Sequence, residues 1–146
     1  MNQNIINKAI DIIKNNTVQN GEFKGEMCVL SLIDEAGFPT ASVITPSKSE
    51  GLNWVTFGTG LESNKVSRIK KCSRASVSFN STEYCVNLVG DIEIITEKEV
   101  KSEMWYDGLT YHFPGGETDP NYCVLKFTTK RYQLFIDGED VDGSCQ

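Results

Sequence analysis

The sequence predicts a mainly β protein, an antiparallel sheet curled into a small barrel with peripheral helices. Three observations lead there. Short runs rich in strand formers follow one another with turn residues between them. Regular helix–strand alternation is missing, which disfavours a parallel, doubly wound sheet. The longest run, YCVNLVGDIEIIT (84–96), carries Gly90 at its middle, which suits the bulge or bend that a closing sheet needs.

The elements follow in order. Residues 1–16 form an opening helix, since Ile5, Ile6, Ala9, Ile10, Ile12 and Ile13 recur at helical spacing. Residues 19–26 read as a polar link with two glycines. MCVLSLI is a strand, DEAG a tight turn, and FPTASVITPS the returning strand. LNWVTFG (52–58) is a third strand. RASVSFN (74–80) alternates, with Ala75, Val77 and Phe79 facing one way. Thr96 and Glu99 have the spacing of a capping box, so residues 97–106 are expected to be helical. Residues 107–121, with Gly108, Pro114, Gly115, Gly116 and Pro120, read as a loop. YCVLKFTT and RYQLFI follow as two strands joined by a tight turn, which gives about seven strands in all. Residues 137–146, DGEDVDGSCQ, read as a frayed acidic tail.

The length of 146 residues fits a single domain spanning 1–146, on a prior of about 150 residues per domain. The net charge of −6 argues against a general nucleic-acid binder, which usually carries a basic face. No apolar run approaches the roughly 18 residues needed to cross a bilayer, and the N-terminus lacks the basic-then-apolar pattern of a secretory signal. The five cysteines are widely spaced with no C-x-x-C. They read as reduced thiols in a cytoplasmic protein, four buried and one on the tail. With one histidine, His112, and unpaired cysteines, no metal site is expected.

Against this acidic background one segment stands apart. TFGTGLESNKVSRIKKC (56–72) joins a strand end to a helix over 62–71 bearing Lys65, Arg68, Lys70 and Lys71. Ser63 is positioned as N-cap, and Val66 and Ile69 can face inward. A helix start presents free N–H groups and a positive partial charge, which suits a phosphate. Lys65 and Arg68, three apart, lie on one side. Thr56, Thr59 and Ser63 add hydroxyls, and the glycines allow close approach. The same spacing also describes a solvated basic face over a barrel end. G-x-x-x-x-G-K-[ST] is absent, so this is not a P-loop.

WVTFGTGLESNKVSRIKKCSRASVSF resembles the flavin-binding segment of the pyridoxamine 5′-phosphate oxidase-like split-barrel family. VNLVGDIEIIT and MWYDGLTYHFPGGETDPNYCVLKFTTKRYQLF resemble later pieces of the same pattern, the latter in its small general-stress-protein branch. Residues 27–136 can be laid along the family pattern. The resemblance implies an antiparallel split barrel binding FMN at the interface of a homodimer. It implies a cofactor set of Val43, Ile44, Thr45, Phe57, Thr59, Ser63, Asn64, Lys65, Arg68 and Cys85. Lys65 and Thr59, with Ser63 and Arg68, would meet the phosphate, and Val43, Ile44, Thr45 and Phe57 would border the ring. The family's strand arginine and strand lysine fall on Ala41 and Pro46, its helix arginine on Asn64, and its ring-side glutamine on Cys85.

The implied activity is that of an FMN-dependent oxidoreductase acting on a small molecule. The alternative is a non-catalytic or regulatory flavin- or haem-binding protein on the same fold. No side chain is singled out as catalytic acid or base, and no G-x-S-x-G elbow accompanies His112. Trp54 is expected in core or interface. Trp105, Tyr106 and Tyr111 are candidates either for lining a pocket or for plain packing.

Overall fold

A computed structural model describes residues 2–19 and 27–145. The expected polar link at 19–26 lies mostly outside these residues. Among the described residues there are eight antiparallel strands and three α-helices. The order within the sheet is β2-β1-β5-β6-β7-β4-β3, and β8 pairs with β7 beyond that path. The strands are β1 (Cys28–Ile33), β2 (Pro39–Ile44), β3 (Pro46–Glu50), β4 (Trp54–Gly60), β5 (Arg74–Asn80), β6 (Tyr84–Ile95), β7 (Tyr122–Ile136) and β8 (Glu139–Ser144). The helices are α1 (Asn2–Asn15), α2 (Asn64–Lys71) and α3 (Lys98–Met104).

The two ends of the sheet, β2 and β3, are consecutive in sequence and meet at Thr45. The sheet therefore curls back toward itself, and the result is a split barrel. FPTASVITPS was expected to be one strand. Pro46 divides it, because proline has no N–H to donate and constrains the residue before it. Pro46 instead starts β3, a position where proline is tolerated.

The barrel interior is filled by alternating side chains. Leu30 and Leu32 of β1, Val77 and Phe79 of β5, Val86, Leu88 and Ile92 of β6, and Leu125 and Phe127 of β7 are all buried. Each such side chain contributes about 1.5–3 kcal/mol from burial. Helix α1 closes one end with Ile5, Ala9 and Ile13, and α2 inserts Val66 and Ile69. The first half of β7 is buried on both faces. Cys123 and Leu125 point into the barrel, while Tyr122 and Val124 join Met104, Leu109 and Phe113 in a second cluster outside it.

Three further expectations are corrected. The two C-terminal strands are one: β7 runs unbroken through Thr128–Arg131 and pairs along its length with β6. The bend falls in its partner's register, which shifts between Val89 and Gly90. The expected frayed tail at 137–146 is, over its described residues 137–145, not frayed. Asp137 and Gly138 have φ of 55° and 75°, the two left-handed residues of a tight hairpin turn, and they return the chain as β8 with Val141 buried. Finally, α3 begins at Lys98 with Glu97 at the N-cap and no side-chain capping bond, so Thr96 and Glu99 form no capping box. The expected loop at 107–121 contains two single-turn 3-10 helices, Asp107–Tyr111 and Gly116–Thr118.

Candidate functional site

A groove of about 600 Å³ opens beside the corner where β2 hands over to β3. One wall is Val43, Ile44 and Thr45 at that corner. A second is Gly58, Thr59 and Gly60, the end of β4. Ser63 and Lys65 enter from the start of α2. Tyr106, Leu109, His112 and Phe113 form the far wall, held in place by the outer apolar cluster beneath them. Met27, Glu62 and Asn121 complete the rim.

The α2 corner is built as an N-cap. Ser63 is extended, and its Oγ accepts from the amide of Val66 at 3.3 Å. The Thr59 hydroxyl lies 3.4 Å from the same oxygen. The amides of Asn64 and Lys65, in the first turn, have no intrahelical acceptors. Lys65 is half-buried, and among the described residues it has no ion-pair partner. A lysine beside a helix N-terminus is a site of positive potential in an acidic protein.

Lys65 also lines a neighbouring cleft of about 300 Å³, together with Thr40, Ala41, Ser42, Asn64 and Arg68. Here Arg68 is held rather than free. Its Nη1 donates to the Thr40 hydroxyl at 3.2 Å, and that hydroxyl donates to the carbonyl of Leu32 at 2.9 Å. Its Nε stands 3.9 Å from a Glu35 carboxylate oxygen and, though buried, finds no hydrogen-bond acceptor. Residues 40–45 thus form a continuous rail, the cleft at one end and the groove at the other.

The structure therefore brings Val43, Ile44, Thr45, Thr59, Ser63 and Lys65 together in the groove, and Asn64 and Arg68 in the cleft beside it. Phe57 is elsewhere, wholly buried in the barrel core. Cys85 lies on β6 opposite Asn80 and Phe135 and lines neither cavity. The Thr56 hydroxyl is also buried, 2.8 Å from that of Ser47, so it offers nothing to the groove. Trp54 donates from Nε1 to Glu50 at 2.7 Å. Trp105 packs edge-on against Tyr122, while Tyr111 is almost fully exposed. Of the aromatic candidates only Tyr106 reaches the groove, where burial pushes its phenol pKa up.

Asn121 and Leu109 were not singled out by sequence. Their signal was the glycine at the facing position. A Cβ on Gly58 would lie 3.0 Å from Leu109, and one on Gly60 would lie 2.9 Å from the Asn121 amide nitrogen.

The profile of the family described as pyridoxamine 5′-phosphate oxidase-like matches residues 18–135. Among solved structures, a protein related to general stress protein 26 from Clostridium acetobutylicum superposes with a TM-score of 0.83 at 20% identity. It covers 99% of this chain and 96% of that one. The general stress FMN/FAD binding protein of Xanthomonas citri gives 0.74 at 16% identity, with the same coverage of 99% and 96%. A heme binding protein from Mycobacterium smegmatis gives 0.72 at 15% identity, over 96% of this chain and 57% of that one. Among curated proteins no sequence matches significantly.

Proposed function

The chain belongs to the pyridoxamine 5′-phosphate oxidase-like family, and from that premise we propose that it binds FMN and acts as an oxidoreductase on a small molecule. One observation carries this reading. Lys65, half-buried and unpaired among the described residues, stands beside the Ser63 cap where groove and cleft meet. That corner suits a phosphomonoester, which wants charge-assisted donors. The Val43–Thr45 rail and the Leu109–Phe113 wall suit a flat apolar ring. Arg68, fixed by Thr40, adds a second cation where the family arginines fall on Ala41 and Asn64. A bound flavin would supply the hydride or electron chemistry, and the protein's part is to hold it and limit water access.

A homodimer is part of the same proposal. Strand β2 ends the sheet, with only β1 paired to it among the described residues. Val43 of that strand and Phe38 just before it are 63% and 66% exposed, apolar side chains that a second copy would cover. Light scattering at the purification concentration tests this, and a monomer would refute it. Cytoplasmic residence is proposed too, on five free cysteines and no membrane-crossing helix among the described residues.

The test of the main reading is the absorbance of the purified protein and its melting temperature with added FMN. Bound flavin bands, or a melting temperature that rises with FMN, support it. Colourless protein that ignores FMN refutes it. A second reading, a haem-binding protein on the same fold, is favoured by His112, the only imidazole in the chain and a groove residue. It predicts a Soret band with added haem that His112→Ala abolishes; no such band would exclude it.

A further inference from the structure

Asn121 sits between two pinned stretches. Its own amide donates to Asp119 Oδ1 at 2.9 Å, and its carbonyl accepts from the Leu61 amide at 2.7 Å. Asp119 is fixed in turn: its Oδ2 accepts from the Gly115 amide at 3.0 Å, and its carbonyl accepts from the buried Lys101 ammonium at 3.0 Å. The backbone of Asn121 is thus locked to the turn that carries Thr59 and Ser63. Its side chain faces that turn as well. The Glu62 amide, which can only donate, points at Oδ1 at 3.4 Å, so Oδ1 is the acceptor turned to Glu62 and Nδ2 is the other end of the amide. Nδ2 lies over Gly60, 2.9 Å from where a Cβ would sit, and has no acceptor among the described residues. Both Asn121 and Gly60 line the groove.

We infer that Asn121 is a ligand-binding residue, its side-chain amide donating to the terminal anionic group held at the Lys65 corner, and that Gly60 is glycine to leave room for that amide. The inference rests on the flavin reading above. Its logic is partial preorganisation: Asp119 and Leu61 fix the backbone of Asn121 before any ligand arrives, so only its side-chain torsions are ordered on binding.

The experiment compares FMN with riboflavin, which lacks the phosphate, by titration of the full chain. Asn121→Ala is expected to weaken FMN about tenfold, the worth of a hydrogen bond to a charged group at a partly exposed site, and to leave riboflavin unchanged. Gly60→Ala serves as the second variant. The φ of Gly60 is not left-handed, so the added methyl collides only with the movable end of Asn121. It should reproduce the loss, and the double variant should be no weaker than either single one. Unchanged FMN affinity in Asn121→Ala, an equal loss for riboflavin, or additive losses in the double variant would each overturn the assignment while leaving flavin binding intact. A wild-type chain that binds neither compound would overturn this inference and the flavin reading together.

Discussion

A Cβ at position 90 would lie 2.0 Å from the carbonyl oxygen of Thr128, across the bulge where β6 and β7 bend together. No side chain fits there without moving backbone. Gly90→Ala is therefore expected to destabilise the fold by about 2 kcal/mol or more, the range of an overpacked core position. Chemical denaturation of the variant measures it. A midpoint within error of wild type would mean that the bend does not need the close approach.

Ser63 has two separable roles. As N-cap it stabilises α2, so Ser63→Ala should cost about 1 kcal/mol in denaturation. Aspartate caps as well as serine, so Ser63→Asp should retain that stability. At the Lys65 corner, however, its carboxylate would repel a phosphate, and FMN affinity should fall by more than in Ser63→Ala. Equal FMN affinity in the aspartate variant and wild type would move the anion away from this cap.

The thiols set an alkaline limit. Burial pushes Cys28 from its ordinary value of 9.0 up to about 12, and Cys123 up to about 11. Both ionise near 9 in the unfolded chain and later in the folded one. Their contribution to stability is therefore complete below pH 9 and is lost as pH rises from there through 11–12. The melting temperature should fall between pH 9 and 10.5, and the Cys28→Ala/Cys123→Ala variant should flatten that fall. Native alkylation at pH 8, read by mass spectrometry, should spare both residues. Labelling of either would contradict their burial.

Much of the barrel was legible because its strands alternate. Ala75, Val77 and Phe79 of β5 point inward as their period-two spacing requires, and Gly90 marked the bulge. The Ser63 cap and the inward Val66 and Ile69 were equally readable, since capping and helical spacing are local. What failed was non-local. Thr128–Arg131 have turn-like polarity but stay in a strand because β6 pairs beside them. Residues 139–144 are acidic yet form β8, because the Asp137–Gly138 turn brings them against the second half of β7. At the site, Thr59 and Lys65 stood out in the local pattern of hydroxyls and charge and Val43 through resemblance, whereas Asn121 is about sixty residues from the turn it contacts, and no pattern around it announces it. Phe57 illustrates the same limit: a strand residue beside the site faces the barrel core, since neighbouring residues point to opposite faces.

The most direct measurement is the equilibrium affinity of FMN for wild type and for Lys65→Ala, at two salt concentrations. Loss of the Lys65 ammonium should weaken FMN at least several-fold, about 1 kcal/mol, and should reduce the salt dependence of binding. An affinity for FMN that is the same in both proteins would contradict the assignment of the phosphate to the Lys65 corner.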